Sequence, residues 1–284
     1  MRRETAAVVQ YDIRPMSGTE FARIRQLAFD TCGMDFAESK KEMIALRLDR
    51  NLRKLGLSSY EEYYLHVRDD VSGSALREFI DSLATNHTNF LREADHFAFL
   101  REKFARVSPN PGRPVRIWSA ACSTGEEPYS IAMTMLDQRR GDWKPVFQIL
   151  ASDISTRALT AAQSGVYAKD RLRDLPPSWL SEFFESGSGR WAGWMKVKKA
   201  IRDTIRFERF NLLDNADGFG TFDVIFCRNV MLYFGRATQQ GIVSRMTERL
   251  NLGGYLLTGH TESLIGINHN LVYVQPAAYQ RRSR

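Results

Sequence analysis

The sequence predicts an α/β protein in which a largely parallel sheet, covered by helices and closed by an antiparallel hairpin, follows an all-α region and carries a small β insertion. Three observations lead there. From 18 to 83 apolar residues recur every three or four positions, as in Phe21, Ile24, Leu27 and Ala28, with little Gly or Pro, which is helical spacing. Beyond about residue 100, short β-branched or aromatic runs alternate with helical stretches, the texture of βαβ units. The runs 271–275 and 277–281 are strand-like with only Pro276 between them, too close for a crossover and therefore antiparallel.

The expected strands are 115–120, 146–153, 205–211, 222–228 and 254–260, all nearly uninterrupted apolar runs, as a sheet buried on both faces requires. Helices fit between them at 127–139, 156–164 and 237–250. A parallel sheet finished by such a hairpin is the outline of the Rossmann-like S-adenosylmethionine-dependent methyltransferase fold, an outline that other doubly wound proteins share. About forty residues separate the second helix from the third strand, more than a βα connection takes. They hold a helix-like run (177–185), the glycines Gly187, Gly189 and Gly193, and a strand-like run (194–200), so a β subdomain inserted at 168–203 is expected. The domains are then 1–84, all helical; 85–100, a linker; and 101–284, the sheet domain.

The chain has 284 residues, 43% hydrophobic and 26% charged, ordinary globular values. No apolar run approaches the roughly 18 residues of a membrane span, and the start, Met1-Arg2-Arg3-Glu4, lacks the apolar core of a secretory signal. A cytoplasmic protein without membrane insertion is expected. Cys32, Cys122 and Cys227 are too few and scattered for a disulfide framework, and the five histidines lack zinc-site spacing, so reduced thiols and no metal are expected. Net charge is +7, which favours an acidic partner. Residues 1–90 are nearly neutral, yet 40–54 holds six basic and two acidic residues. There Arg47, Arg50, Arg53 and Lys54 fall on one helical face, with Met43, Ile44, Leu48, Leu52 and Leu55 able to supply a core side. A merely solvated face explains that pattern as well.

The segment SAACSTGEEPYS, 119–130, leaves the first strand and enters the first helix. Gly125 and the small residues allow close approach of a ligand, and Glu126 suits a cationic or hydroxyl-rich one rather than a pyrophosphate. An ordinary helix start, with acidic first turn and early Pro128, fits equally. Asp153 ends the second strand, where a carboxylate can accept from both ribose hydroxyls or cap the next helix. Asn211, Leu212, Asn229 and Val230 follow later strands at the same carboxyl edge, where open α/β sheets bind ligands. The glycines of 187–193 lie between a helix and a strand, the wrong order for a phosphate loop, and read as a hairpin. The string 86–93, NHTNFLRE, reads on its own as a polar linker.

Together SAACSTGEEPYS, TNHTNFLRE (85–93), ASDI (151–154) and FCRNVMLYF (226–234) resemble the CheR family of chemotaxis receptor glutamate methyltransferases, in order and over nearly the whole chain. The family often has Thr where Ala84 stands and Ile where Leu232 stands. The resemblance implies S-adenosylmethionine as cofactor, with S-adenosylhomocysteine as product, held by Asn86, Thr88, Arg92, Glu126, Asp153, Asn211, Leu212, Asn229 and Val230. Glu126 would take the amino group and Asp153 the ribose, while Arg92 and Tyr233 line the transfer site. It further implies a monomer that docks the basic helix (Arg47, Arg50, Arg53, Lys54) on the cytoplasmic domain of chemoreceptors. The Gly187-Ser188-Gly189 loop matches the compact form that accompanies binding of a receptor C-terminal tail peptide. A glutamate with a pKa near 4.3 is ionised at neutral pH, so transfer to it needs no general base; orientation by Arg92 is the expected contribution. A non-catalytic sensor keeping the cofactor fold is the rival from another class. Nucleic-acid methylation fits the basic charge but lacks a zinc module, an aromatic-rich basic stretch or the Asn/Asp-Pro-Pro-aromatic motif, and no nucleic-acid partner is expected.

Overall fold

The computed structural model describes residues 15–104, 113–137 and 146–282, and the chain divides into two compact units, 1–84 and 85–284. The first unit holds four helices, α1 (Gly18–Cys32), α2 (Lys41–Leu55), α3 (Tyr60–Asp69) and α4 (Ser74–Leu83). Ser17 starts α1 with a capping box: its hydroxyl accepts from the Glu20 N–H and its own N–H donates to the Glu20 carboxylate, which satisfies donors that a helix start leaves open. Gly33 and Gly56 end α1 and α2 in left-handed conformations, where a Cβ would be strained. Phe21, Ile24, Ile44, Leu48, Leu52 and Phe79 are buried. Among them the buried Asn51 amide donates to the Tyr63 hydroxyl (2.8 Å) and the Ser82 hydroxyl (2.9 Å), joining α2, α3 and α4. Leu55, expected on the core side of α2, is 37% exposed, because it lies at the helix end beside Gly56.

The second unit begins with α5 (Asp95–Phe104), so the last residues of the expected linker are helical. Then come β1 (Val115–Ala120), α6 (Glu126–Leu136), β2 (Phe147–Asp153) and α7 (Thr156–Ser164). An insertion follows: β3 (Val166–Ala168), α8 (Pro177–Phe183), β4 (Phe184–Ser186), β5 (Trp194–Val197) and the short α9 (Lys199–Arg202). The main sheet resumes with β6 (Ile205–Arg209), β7 (Phe222–Cys227), α10 (Arg236–Arg249), β8 (Leu250–Thr258), β9 (Leu271–Gln275) and β10 (Ala278–Arg281). Its order is β6-β2-β1-β7-β8-β10-β9, with the first five strands parallel and β10 antiparallel to both neighbours. This is the expected mixed architecture, closed by the expected hairpin. Within β1, Ile117 packs into one core and Trp118 into the other, the period-2 alternation of a strand with two buried faces.

The insertion folds as a three-stranded antiparallel sheet with β5 in the centre and β3 and β4 as edges. The helix expected at 177–185 stops at Phe183, where Phe184 turns extended and pairs with Val197. The strand expected through 200 stops at Val197, because Lys198 opens α9. Similarly the third parallel strand ends at Arg209, and Asn211 lies beyond it in a turn. Residues 138 and 139, the end of the expected first helix, lie outside the described residues.

Candidate active site at the carboxyl edge of the sheet

The segments following β1, β2, β6 and β7 come together at the carboxyl edge, and the stretch 86–93 joins them. Left-handed backbone at non-glycine residues concentrates here: Leu91, Glu93, Ala121, Ser123 and Asn229 all have φ between 50° and 66°. Such conformations cost about 1–3 kcal/mol each and persist only where surrounding contacts enforce them.

Those contacts are charged and buried. Arg228, which follows β7 and is 5% exposed, donates to Glu127 on α6 (2.9 Å) and to Glu93 in the linker (3.0 Å), and also to the Arg92 carbonyl. Glu127 accepts further from the Ser119 hydroxyl at 2.7 Å, and Glu93 from the Asn229 amide at 3.2 Å. Burial pushes the Glu127 carboxyl above its ordinary value against the pull of Arg228. Desolvation acts on Glu93 too, but there Arg228, Asn229 and the His260 N–H outweigh it and hold the pKa low. Glu262, 7% exposed, accepts from three backbone N–H groups, Asn229 (2.6 Å), Met231 (2.8 Å) and Gly259 (2.8 Å). One carboxylate thereby fixes the turn 229–231 that leads into Tyr233.

Asp153, 7% exposed, accepts from the Ser123 N–H (2.8 Å) and the Ser155 N–H (2.9 Å), bracing the turn after β1 against the turn after β2. The cap of α7 is Ser155, whose hydroxyl accepts from Ala158. Glu126 is fully buried at the start of α6. It accepts from the Thr124 hydroxyl at 2.6 Å and pairs with Arg171 of the insertion, whose guanidinium also donates to the Thr88 carbonyl at 3.0 Å. Gly125 precedes Glu126 in a left-handed conformation. Its φ is +96°, and a Cβ there would meet Ala162 and the Tyr167 hydroxyl at 2.8 Å, so it is the packing of α7 and the insertion that excludes a side chain.

The Arg92 side chain donates to the His87 carbonyl at 3.2 Å, and among the described residues no carboxylate pairs with it. Asn86 and Thr88 are half-buried in the same linker, and Tyr233 is half-buried in the short turn Met231–Tyr233. The Val230 carbonyl accepts from the Tyr233 N–H. Asn211 accepts from the Leu213 N–H at 3.1 Å, and the Leu212 carbonyl accepts from Arg245 of α10 at 3.0 Å. The network thus links Thr88 to Glu126, and Arg92 to Asn229, through two arginines. Sequence reasoning singled out neither Arg228 nor Arg171. Arg228 left one signal, a charge ending a mostly apolar run; Arg171 left none.

Glu93, His96 and His260 also converge, with their ligand-type atoms all within 4.8 Å, although 164 residues separate the two histidines in sequence. Burial, then the positive charge of Arg228, depresses the His96 pKa to about 4, so the ring is neutral at physiological pH. His260 Nε2 sits 2.9 Å from Asp95.

Two family descriptions match the chain: "CheR methyltransferase, all-alpha domain" over residues 19–84 and "CheR methyltransferase, SAM binding domain" over 86–279. The chain belongs to the CheR methyltransferase family. Among similar CheR proteins, Chemotaxis protein methyltransferase 2 of Pseudomonas aeruginosa is 40% identical over 262 residues, covering 92% of each chain. The Chemotaxis protein methyltransferase of Escherichia coli is 40% identical, covering 92% of this chain and 90% of its own. That of Borreliella burgdorferi is 34% identical, covering 92% and 94%. The chain is accordingly an S-adenosylmethionine-dependent methyltransferase. The CheR site fits that cofactor by its donor set: a buried carboxylate, Glu126, opposite a half-exposed cation, and a second carboxylate, Asp153, ending β2.

Proposed function

We propose that this chain is a cytoplasmic enzyme that transfers the methyl group of S-adenosylmethionine to glutamate side chains of chemoreceptors, forming methyl esters. The observation that carries the reading is Arg92. Its backbone is gripped by Arg228, while its guanidinium donates to the His87 carbonyl and meets no carboxylate among the described residues. A planar donor fork near Arg171 and Arg228, both of which are paired with carboxylates, suits a carboxylate brought in by a substrate. Asn86, Thr88, Arg92, Glu126, Asp153, Asn211, Leu212, Asn229 and Val230 hold the cofactor in this reading, Glu126 at the ammonium and Asp153 at the ribose. Bound there, S-adenosylmethionine supplies an activated methyl group. The protein contributes position and exclusion of water, worth several kcal/mol of barrier when the reacting atoms are held in line. Arg92 orients the substrate carboxylate without neutralising it, since pairing that was equally strong before and during transfer would not accelerate it. Tyr233 lines the transfer site.

Receptor docking falls to α2. Arg47 is bound to the Leu83 carbonyl (2.5 Å) and Lys54 pairs with Glu78 (2.6 Å), while Arg50 and Arg53 are exposed and form the working part of the face. A receptor tail peptide adds to an edge of the inserted sheet, supported by the exposed Trp191 (50%) and Trp194 (42%) and by Arg190 lying over the Trp191 ring. Main-chain pairing along such an edge gives register, and aromatic pockets give choice.

The test is transfer of a labelled methyl group from S-adenosylmethionine to receptor-bearing membranes and, in parallel, to tRNA. The expected result is label on receptor, released as methanol by mild alkali because the product is an ester. Alkali-stable label, or label on tRNA alone, would refute the assignment.

A further inference from the structure

The buried Glu126 faces an arginine, Arg171, to which no contact with the ligand has been assigned. Arg171 lies in the turn Lys169–Leu172 after β3, anchored by the buried Leu172. Its Nη2 bridges the Glu126 carboxylate and the Thr88 carbonyl, both groups assigned to the cofactor. The two partners differ in exposure: the Glu126 side chain is 1% exposed and that of Arg171 46%. A carboxylate so buried needs a cation, and at present Arg171 supplies it from the solvent side. Tyr167, whose hydroxyl donates to the Thr124 carbonyl at 2.7 Å, ties the start of the same insertion to the turn before Glu126.

We propose that Arg171 binds the α-carboxylate of S-adenosylmethionine, exchanging Glu126 for it when the ligand's ammonium takes Glu126; this rests on the cofactor assignment of Glu126 above. The α-amino acid end of the ligand carries its ammonium and carboxylate on one carbon. An ammonium seated on Glu126 brings the carboxylate next to the guanidinium already there, and the four charges alternate in sign. A ligand with the ammonium but no carboxylate sets two cations against one buried carboxylate. Arg171 therefore selects for the complete amino acid end, and the inserted subdomain, through Arg171, becomes part of the cofactor site.

The experiment is calorimetric titration of the full chain and of Arg171→Gln with three ligands: S-adenosylmethionine, its decarboxylated form, and methylthioadenosine, which lacks the amino acid end. Arg171→Gln should weaken S-adenosylmethionine roughly ten- to a hundredfold, the range of a charge-assisted hydrogen bond. It should leave methylthioadenosine within about twofold and leave the decarboxylated ligand unweakened or tighter, so that the wild-type preference for the carboxylate collapses. Equal weakening of both ammonium ligands, or an unchanged preference, overturns the proposal while leaving the cofactor site standing. Failure of the wild type to bind any of the three overturns both. If Arg171→Gln loses methylthioadenosine as well, signalling a damaged fold, Arg171→Lys decides: it keeps the charge but not the fork, and must lower the preference in part. A preference as large as wild type in that variant is again a refutation.

Discussion

The carboxyl edge of the sheet and the basic face of α2 both carry arginines, but the protein treats them in opposite ways. At the edge, Arg228 is buried and shared between Glu93, Glu127 and a backbone carbonyl. On α2, Arg50 and Arg53 stand in solvent. A buried cation is fixed by its partners and its removal strands them; an exposed one is nearly neutral to folding. Charge at the edge is therefore architecture for the site, and charge on α2 is available for a partner.

The largest effect should come from Arg228→Ala, which leaves the half-buried Glu127 and Glu93 without their cation. A loss on the order of 3–5 kcal/mol is expected, read from the urea midpoint, together with loss of methyl transfer. A midpoint within about 0.5 kcal/mol of wild type would mean the network does not hold the edge together.

Much of this contrast is legible in the sequence, and the limits are physical. The apolar runs 115–120 and 222–228 predict strands buried on both faces because the two cores impose that composition. The helical spacing of 18–83 predicts the first unit for the same reason. The Glu93–Arg228–Glu127 network was not foreseen, because its members lie 34 to 135 residues apart and only the fold joins them. Element ends slip where the next element takes over: α8 stops at Phe183 as β4 begins, and β5 stops at Val197 ahead of α9. Gly125 is legible as a tight turn, but the packing of Ala162 and Tyr167 against it exists only in the fold.

A smaller effect separates the two regions from the other side. Arg50→Glu with Arg53→Glu should leave stability within about 0.5 kcal/mol, raise the KM for receptor, and flatten its dependence on salt. Unchanged receptor kinetics would return α2 to a solvated face. Smallest of all in its effect on chemistry is the docking of a tail peptide on the inserted sheet. A receptor C-terminal peptide with an aromatic end should bind with micromolar-class affinity, while methylation of a tail-less receptor continues. Gly187 is a poor place to probe this, since a Cβ there would meet the Trp191 carbonyl at 2.3 Å, whereas Gly189 at φ +57° has open space around it. No binding up to millimolar peptide would leave the insertion with its role at the cofactor site alone.

In the proposed function the carboxyl edge divides its labour between holding the cofactor and aiming the substrate carboxylate. A paired measurement tests this: calorimetric affinity for S-adenosylhomocysteine beside kcat for receptor methylation, in Asp153→Ala and in Arg92→Ala. Asp153→Ala should weaken binding by about 1.5–3 kcal/mol through the lost charged acceptor. Arg92→Ala should lower kcat far more than it weakens binding. Equal losses of affinity and turnover in Arg92→Ala would contradict that division, making Arg92 a cofactor ligand only and leaving the substrate carboxylate without its guide.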